Sequence, residues 1–120
     1  MKRLMASFKH AFRGIFEAID SEPNFKIHLF ATIFVVLAGF IFSIHSWEWV
    51  AIIGCICAVL GLELLNTSIE TMMNHLHPER HDQVRRIKDL SAGAVLVMAI
   101  GSAIIGLVIF LPKLMVFISV

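Results

Sequence analysis

Charge is scarce in this chain. Charged residues make up 16% of its 120 positions and hydrophobic residues 58%, with a mean hydropathy of +0.86. A soluble domain carries about 25% charged residues, so a membrane protein is expected before any motif is read. The net charge of +1 gives no positive excess, and no nucleic-acid partner is expected. Three prolines and seven glycines are too few for a linker, and no repeat or low-complexity tract breaks the chain. A single domain over residues 1–120 follows. The only cysteines are Cys55 and Cys57. Two residues apart on a helix they point about 200° apart, so they cannot pair there, and two thiols make no zinc site. Apolar packing is their expected role. No secretory leader is expected, because Lys2, Arg3, Lys9 and Arg13 have no long apolar core behind them. There is no G-x-x-x-x-G-K-S/T, no G-x-G-x-x-G after a strand and no H-E-x-x-H. A nucleotide would have to bind without a standard phosphate loop.

Long apolar runs are abundant by contrast. Leu29 to Ile44 is uncharged and extends to Trp47. Trp49 to Leu62 is uncharged, and its helix is expected to continue through Asn74. Leu90 to Leu111 is an uncharged run of 22 residues that Pro112 is expected to close. Each run is long enough to cross a bilayer. The predicted spans are 27–47, 49–74 and 88–112. Ahead of them, Leu4, Phe8, Phe12, Ile15 and Ile19 recur with a period near 3.6. Basic residues flank that stripe, so residues 1–22 read as an amphipathic helix on an anionic leaflet. The alternative is an amphipathic helix packed on protein. Gly14 and SEPNF (Ser21 to Phe25) mark the turn into the first span. The fold class is therefore an all-α membrane protein, with an N-terminal surface helix and three transmembrane helices. Nine of the ten Lys and Arg lie before Ile27 or between Arg80 and Lys88. Three spans put both regions on one side, and the positive-inside rule makes that side cytoplasmic. Lys113 and the turn containing Trp47 and Trp49 then face outward.

Polar residues gather at one end of the second span. Glu63, Asn66, Glu70 and Asn74 step by three, four and four and share one helix face. At about 1.5 Å per residue, Glu63 lies roughly 24 Å below Trp47, inside a hydrocarbon core about 30 Å thick. An intramembrane carboxylate costs several kcal/mol unless paired or hydrated, and it marks a functional candidate. The plainer reading is that these side chains hydrogen-bond helices together. Glu17, Asp20, Glu22 and the Lys88–Asp89 pair converge on the same leaflet. Carboxylates with lysine suit Mg²⁺ and a polyphosphate, and an acid in apolar surroundings can act as a general base. Chemistry at this boundary suits a water-soluble donor and a lipid acceptor. His75, His77 and His81 read as a solvated loop, since Pro78 breaks their helical spacing. Lys26 and His28 either contact headgroups or anchor the first span. Gly54, Ala58 and Ala92 to Ala94 allow close helix approach, and short spans with buried acids favour an oligomer.

The motifs resemble one family. ELLNTSIE (Glu63 to Glu70) is similar to the E-x-x-N-S/T-A/S-I-E signature of the small prokaryotic diacylglycerol kinases, which include undecaprenol kinases. KDLSAGAVLV (Lys88 to Val97), SEPNFKIHL (Ser21 to Leu29) and HPERH (His77 to His81) resemble further family segments, in the same order and over essentially the whole chain. The resemblance implies a homotrimeric lipid kinase of the bacterial cytoplasmic membrane, with sites shared between subunits. It implies ATP and Mg²⁺, and diacylglycerol or undecaprenol as the lipid alcohol. By position, Glu63 matches the general base and Glu22 and Glu70 the metal-binding carboxylates. Asn66 matches the site asparagine. Lys88 and Asp89 match a pair near the phosphates, Glu79 and His81 loop positions near the nucleotide, and Arg3 and His10 helix positions approaching it. The chain departs from the pattern at Asn74, where aspartate is usual, and at Arg80 and Asp82, where an aromatic and proline are common. A catalytically impaired structural homologue is the alternative that Asn74 keeps open. A small proton or ion conductor is a further one, but it would need polar residues through the full membrane depth.

Overall fold

A computed structural model describes residues 1–79 and 81–119; Arg80 and Val120 lie outside the described residues. The described residues form four helices: α1 (Lys2–Ser21), α2 (Pro23–Ile41), α3 (Ser46–Leu76) and α4 (Asp82–Ser119). The last three are long and apolar enough to cross a membrane. At about 1.5 Å per residue, the 19 residues of α2 nearly match the hydrocarbon core. The 31 residues of α3 and 38 of α4 overrun it, which puts their polar ends at the membrane boundary.

Local chemistry sets the joints. Pro23 holds the first position of α2, where its missing N–H is no loss. Proline also drives the preceding residue out of the helical region, and Glu22 sits at φ −107°, ψ 107°. α1 and α2 therefore break at Glu22. The α2–α3 turn closes with Ser43 at φ 49°, a left-handed conformation uncommon outside glycine. There the Ile44 N–H reaches the Gly39 carbonyl at 3.1 Å. At the start of α3, Glu48 Oε1 accepts the His45 N–H at 2.9 Å, the returning half of a capping box. α3 stops at Leu76, two residues before Pro78.

All three membrane helices differ at both ends from the predicted spans; α3 runs on to Leu76 and α4 already starts at Asp82. The first membrane helix starts at Pro23 and ends at Ile41, because Phe42 to His45 make the turn into α3. α3 begins at Ser46, where the Glu48 cap sets its start. α4 passes through Pro112 and continues to Ser119. Proline removes one hydrogen bond and crowds one carbonyl, but an apolar helix has no better way to satisfy its backbone in lipid. Beyond the proline, Lys113 Nζ donates to Glu48 Oε2 at 2.9 Å, which ties α4 to α3.

α3 is the central helix and touches each of the other three, most extensively α4. Ile44, Ile52 and Ile109 form a small core near the α2–α3 turn, with Phe42, Trp49 and Phe110 packed on it. Close α2–α3 approach depends on Gly39, where an added Cβ would lie 2.6 Å from the Trp49 ring. The chain measures 58 × 43 × 22 Å. Phe34, Leu37, Val97 and Val108 stay exposed, so these faces suit lipid or another chain.

Candidate active site

The α3 stripe supplies the centre of the site. Glu63 is 3% exposed and Asn66 6%, deep burial for side chains this polar. Across from Glu63, α2 presents His28, with Nε2 3.6 Å from Glu63 Oε2. One turn further along α3, Asn66 Nδ2 donates to Glu70 Oε1 at 3.5 Å. Asn66 Oδ1 is buried and finds no partner among the described residues. Glu22 lies at the α1–α2 break, and Glu70 lies two turns along α3 from Glu63 on the same face. At the far end of the stripe, Lys88 Nζ donates to Asn74 Oδ1. The stripe thus meets α2 at its deep end and α4 at its outer end.

Three cavities border it. One of about 680 Å³ lies between α1 and α3 and is lined by Glu17, Ser21, Glu22, Thr67, Ser68 and His75 among others. One of about 200 Å³ lies where α3 gives way to α4, and its wall includes Asn74, Glu79, His81, Lys88 and Asp89. A third, of about 440 Å³ and largely apolar, runs between α2, α3 and α4 and ends at His28.

The sequence-selected residues are distributed unevenly over this geometry. Glu63, Asn66 and Glu70 share one face of α3, and Glu22 lines the α1–α3 cavity beside Thr67 and Thr71. Asn74, Glu79, His81, Lys88 and Asp89 come together in the small cavity. Arg3 and His10 lie on exposed α1 and line none of these three cavities. Asp89 pairs with Arg85 at 2.8 Å, not with Lys88. His81 helps begin α4, since its Nδ1 accepts the Gln83 N–H at 3.1 Å. An imidazole accepting at Nδ1 carries its proton at Nε2, which leaves that N–H for a ligand. The sequence reading left His28 as an anchor or headgroup contact and did not single out Arg85. Arg85 was legible from its i, i+4 spacing to Asp89; His28 required knowing which residue of α2 meets Glu63.

Among the described residues, no three His, Cys, Asp or Glu side chains gather to hold a metal ion. The donors that are present are oxygens: the Glu22 and Glu70 carboxylates and the unsatisfied Asn66 Oδ1. That set fits Mg²⁺, which takes one or two carboxylates and completes its shell with water and phosphate oxygens.

The prokaryotic diacylglycerol kinase profile matches residues 9–110. The chain belongs to the prokaryotic diacylglycerol kinase family. Membership makes it a lipid kinase by family. It is 43% identical over 114 residues to an undecaprenol kinase of Bacillus subtilis, covering 95% of this chain and 93% of that one. It is 33% identical over 113 residues to a diacylglycerol kinase of Synechocystis sp., covering 93% and 65%. A diacylglycerol kinase of Haemophilus influenzae is 28% identical over 97 residues, covering 81% and 82%. The matched region of the family profile contains the whole α3 stripe, Glu22, His28 and the Lys88–Asp89 pair.

Proposed function

We propose that this chain transfers the γ-phosphoryl group of ATP to the hydroxyl of a membrane lipid, with Mg²⁺. The observation that carries the reading is Glu63, a buried carboxylate in an otherwise apolar helix, on one face with Asn66 and Glu70. Phosphoryl transfer requires positioning and charge neutralisation more than covalent chemistry, and these residues supply both. Glu63 removes the hydroxyl proton as the lipid oxygen bonds to phosphorus. The bond from that phosphorus to the β-phosphate oxygen breaks, and ADP leaves with the electron pair. Glu22 and Glu70 would hold Mg²⁺, which when bound offsets phosphate charge, and Asn66 orients Glu70. Lys88 supplies a further positive charge, and Asp89, Glu79 and His81 face the nucleotide, with Arg3 and His10 approaching from α1.

Asn74 lies about 16 Å beyond Glu63 along the helix axis. A nucleotide lying along the stripe, nucleoside towards Asn74 and γ-phosphate towards Glu63, bridges that separation. Undecaprenol is the first acceptor to test, supported by the identity to the Bacillus undecaprenol kinase; diacylglycerol is the second. The enzyme sits in the bacterial cytoplasmic membrane with α1 on the inner leaflet and the site on the cytoplasmic side. It acts as a homotrimer with shared sites, a reading supported by the thin slab shape and exposed apolar faces of one chain.

The test is purified protein in mixed micelles with labelled ATP and Mg²⁺, offered undecaprenol and diacylglycerol in parallel. Labelled lipid is expected from the wild type. Glu63→Gln should lose about 10²-fold or more of that rate, and a chelator should abolish it. No labelled lipid from folded wild type would sink the kinase reading. Unchanged transfer by Glu63→Gln would remove Glu63 as base.

A further inference from the structure

A general base that gains a proton in every turnover must also lose it, and Glu63 has few places to send it. Its side chain is 4% exposed. Three titratable side chains of the site lie on the elements around it: Glu22 at the α1–α2 break, Glu70 on the same α3 face and His28 on α2. Two are carboxylates assigned to the metal. The third is an imidazole 3.6 Å away on a different helix, with its own side chain 23% exposed. The His28 backbone is fixed by Thr32, whose Oγ1 donates to the His28 carbonyl at 2.8 Å. The His28 ring also closes one end of the apolar cavity between α2, α3 and α4. The other titratable side chain on that wall is Cys55, and α4 contributes there only the Ser102 hydroxyl as a polar group. Among the described residues the buried base therefore has one non-carboxylate partner, and that partner borders open space.

We propose that His28 is the positioning and proton-accepting partner of Glu63, an assignment that rests on the lipid kinase reading above. As the lipid oxygen bonds to phosphorus, its proton passes to Glu63. Glu63 hands that proton to His28 Nε2, which restores the carboxylate and leaves an imidazolium beside it. The two opposite charges stay paired until ADP and the phospholipid depart, when His28 releases the proton to water. The 3.6 Å separation is longer than a hydrogen bond. Such contacts are commonly long before substrate binds and tighten in the reactive complex. Between turnovers the same contact holds the Glu63 carboxylate towards α2 and the end of the cavity.

The experiment compares wild type, His28→Gln, His28→Ala and Glu63→Gln in the micelle assay, with ATP and lipid varied across a pH series. His28→Gln is expected to lower kcat by about 10- to 100-fold, leave KM for ATP within about twofold, and lose one limb of the pH profile. Added imidazole is expected to restore part of kcat to His28→Ala and none to Glu63→Gln. If His28→Gln does not fold, the imidazole response of His28→Ala decides. A kcat within about twofold of wild type overturns the proposal, as does a loss carried by KM for ATP. A kcat loss that imidazole does not restore, with an unchanged pH profile, also overturns it in favour of packing. In each of these cases an active wild type leaves the kinase reading standing. An inactive wild type overturns both together.

Discussion

Asn74 faces Lys88 at the position where the family pattern that the sequence resembles carries aspartate. A carboxamide oxygen can hold an ammonium group in place without cancelling its charge. The lysine then keeps its full attraction for phosphate, which argues against an impaired enzyme. Asn74→Asp would create an ion pair that competes with the nucleotide for Lys88. A surface pair of this kind is worth at most about 1 kcal/mol. The expected result is a KM for ATP raised no more than about fivefold at low salt, with the difference fading at high salt as the pair is screened. Measuring KM at two ionic strengths checks this, and an unchanged or lowered KM at low salt would contradict it. Residues on one helix face were readable from spacing, so Glu63, Asn66 and Glu70 were found together. His28 was not, because its contact with Glu63 joins two helices whose register the sequence does not encode locally.

At the scale of elements, hydropathy identified the three long helices, while their ends depended on caps and side-chain ties that a hydropathy run does not see. Glu48 is the clearest case. It lies buried, accepts the His45 N–H and pairs with Lys113, 65 residues away. Glu48 and Lys113 are the charged residues that flank the α2–α3 turn and the end of the third apolar run, far in sequence from the other charges, a signal that could have joined them. Lys113→Met would leave the buried Glu48 carboxylate without its cation. We expect a lower thermal midpoint in detergent for Lys113→Met, and a midpoint close to wild type for Lys113→Arg. Equal midpoints for all three chains would mean that the pair does not hold α4 beyond Pro112. The α2–α3 contact offers a second test. At Gly39 a methyl group would meet the Trp49 ring at 2.6 Å, and that ring is stacked at a tilt on Phe40 with centroids 4.9 Å apart. Gly39→Ala should destabilise the chain by about 1–3 kcal/mol through overpacking. The loss should shrink when Trp49→Leu is added, since neighbouring substitutions are not additive. An undiminished loss in the double variant would place the strain elsewhere.

At the scale of the molecule, the charge pattern was the legible feature and the assembly was not. Lipid tails and neighbouring helices are equally apolar, so an exposed Phe34 or Val97 does not say which of them it meets. Orientation has a signal in the sequence, because nine of the ten basic residues precede Ile27 or fall between Arg80 and Lys88. The whole mechanism depends on the side that carries them being cytoplasmic, since ATP reaches the site from there. Ser46 and Gln83 are exposed at opposite ends of the bundle and touch none of the three site cavities. In a chain carrying Cys57→Ser, with Cys55 left buried, Ser46→Cys should react with a membrane-impermeant maleimide in intact spheroplasts. Gln83→Cys should react only after the membrane is permeabilised. The reverse pattern would put Glu63, Lys88 and the nucleotide cavity on the side without ATP, and an intramembrane lipid kinase could not then draw its donor from the cytoplasm.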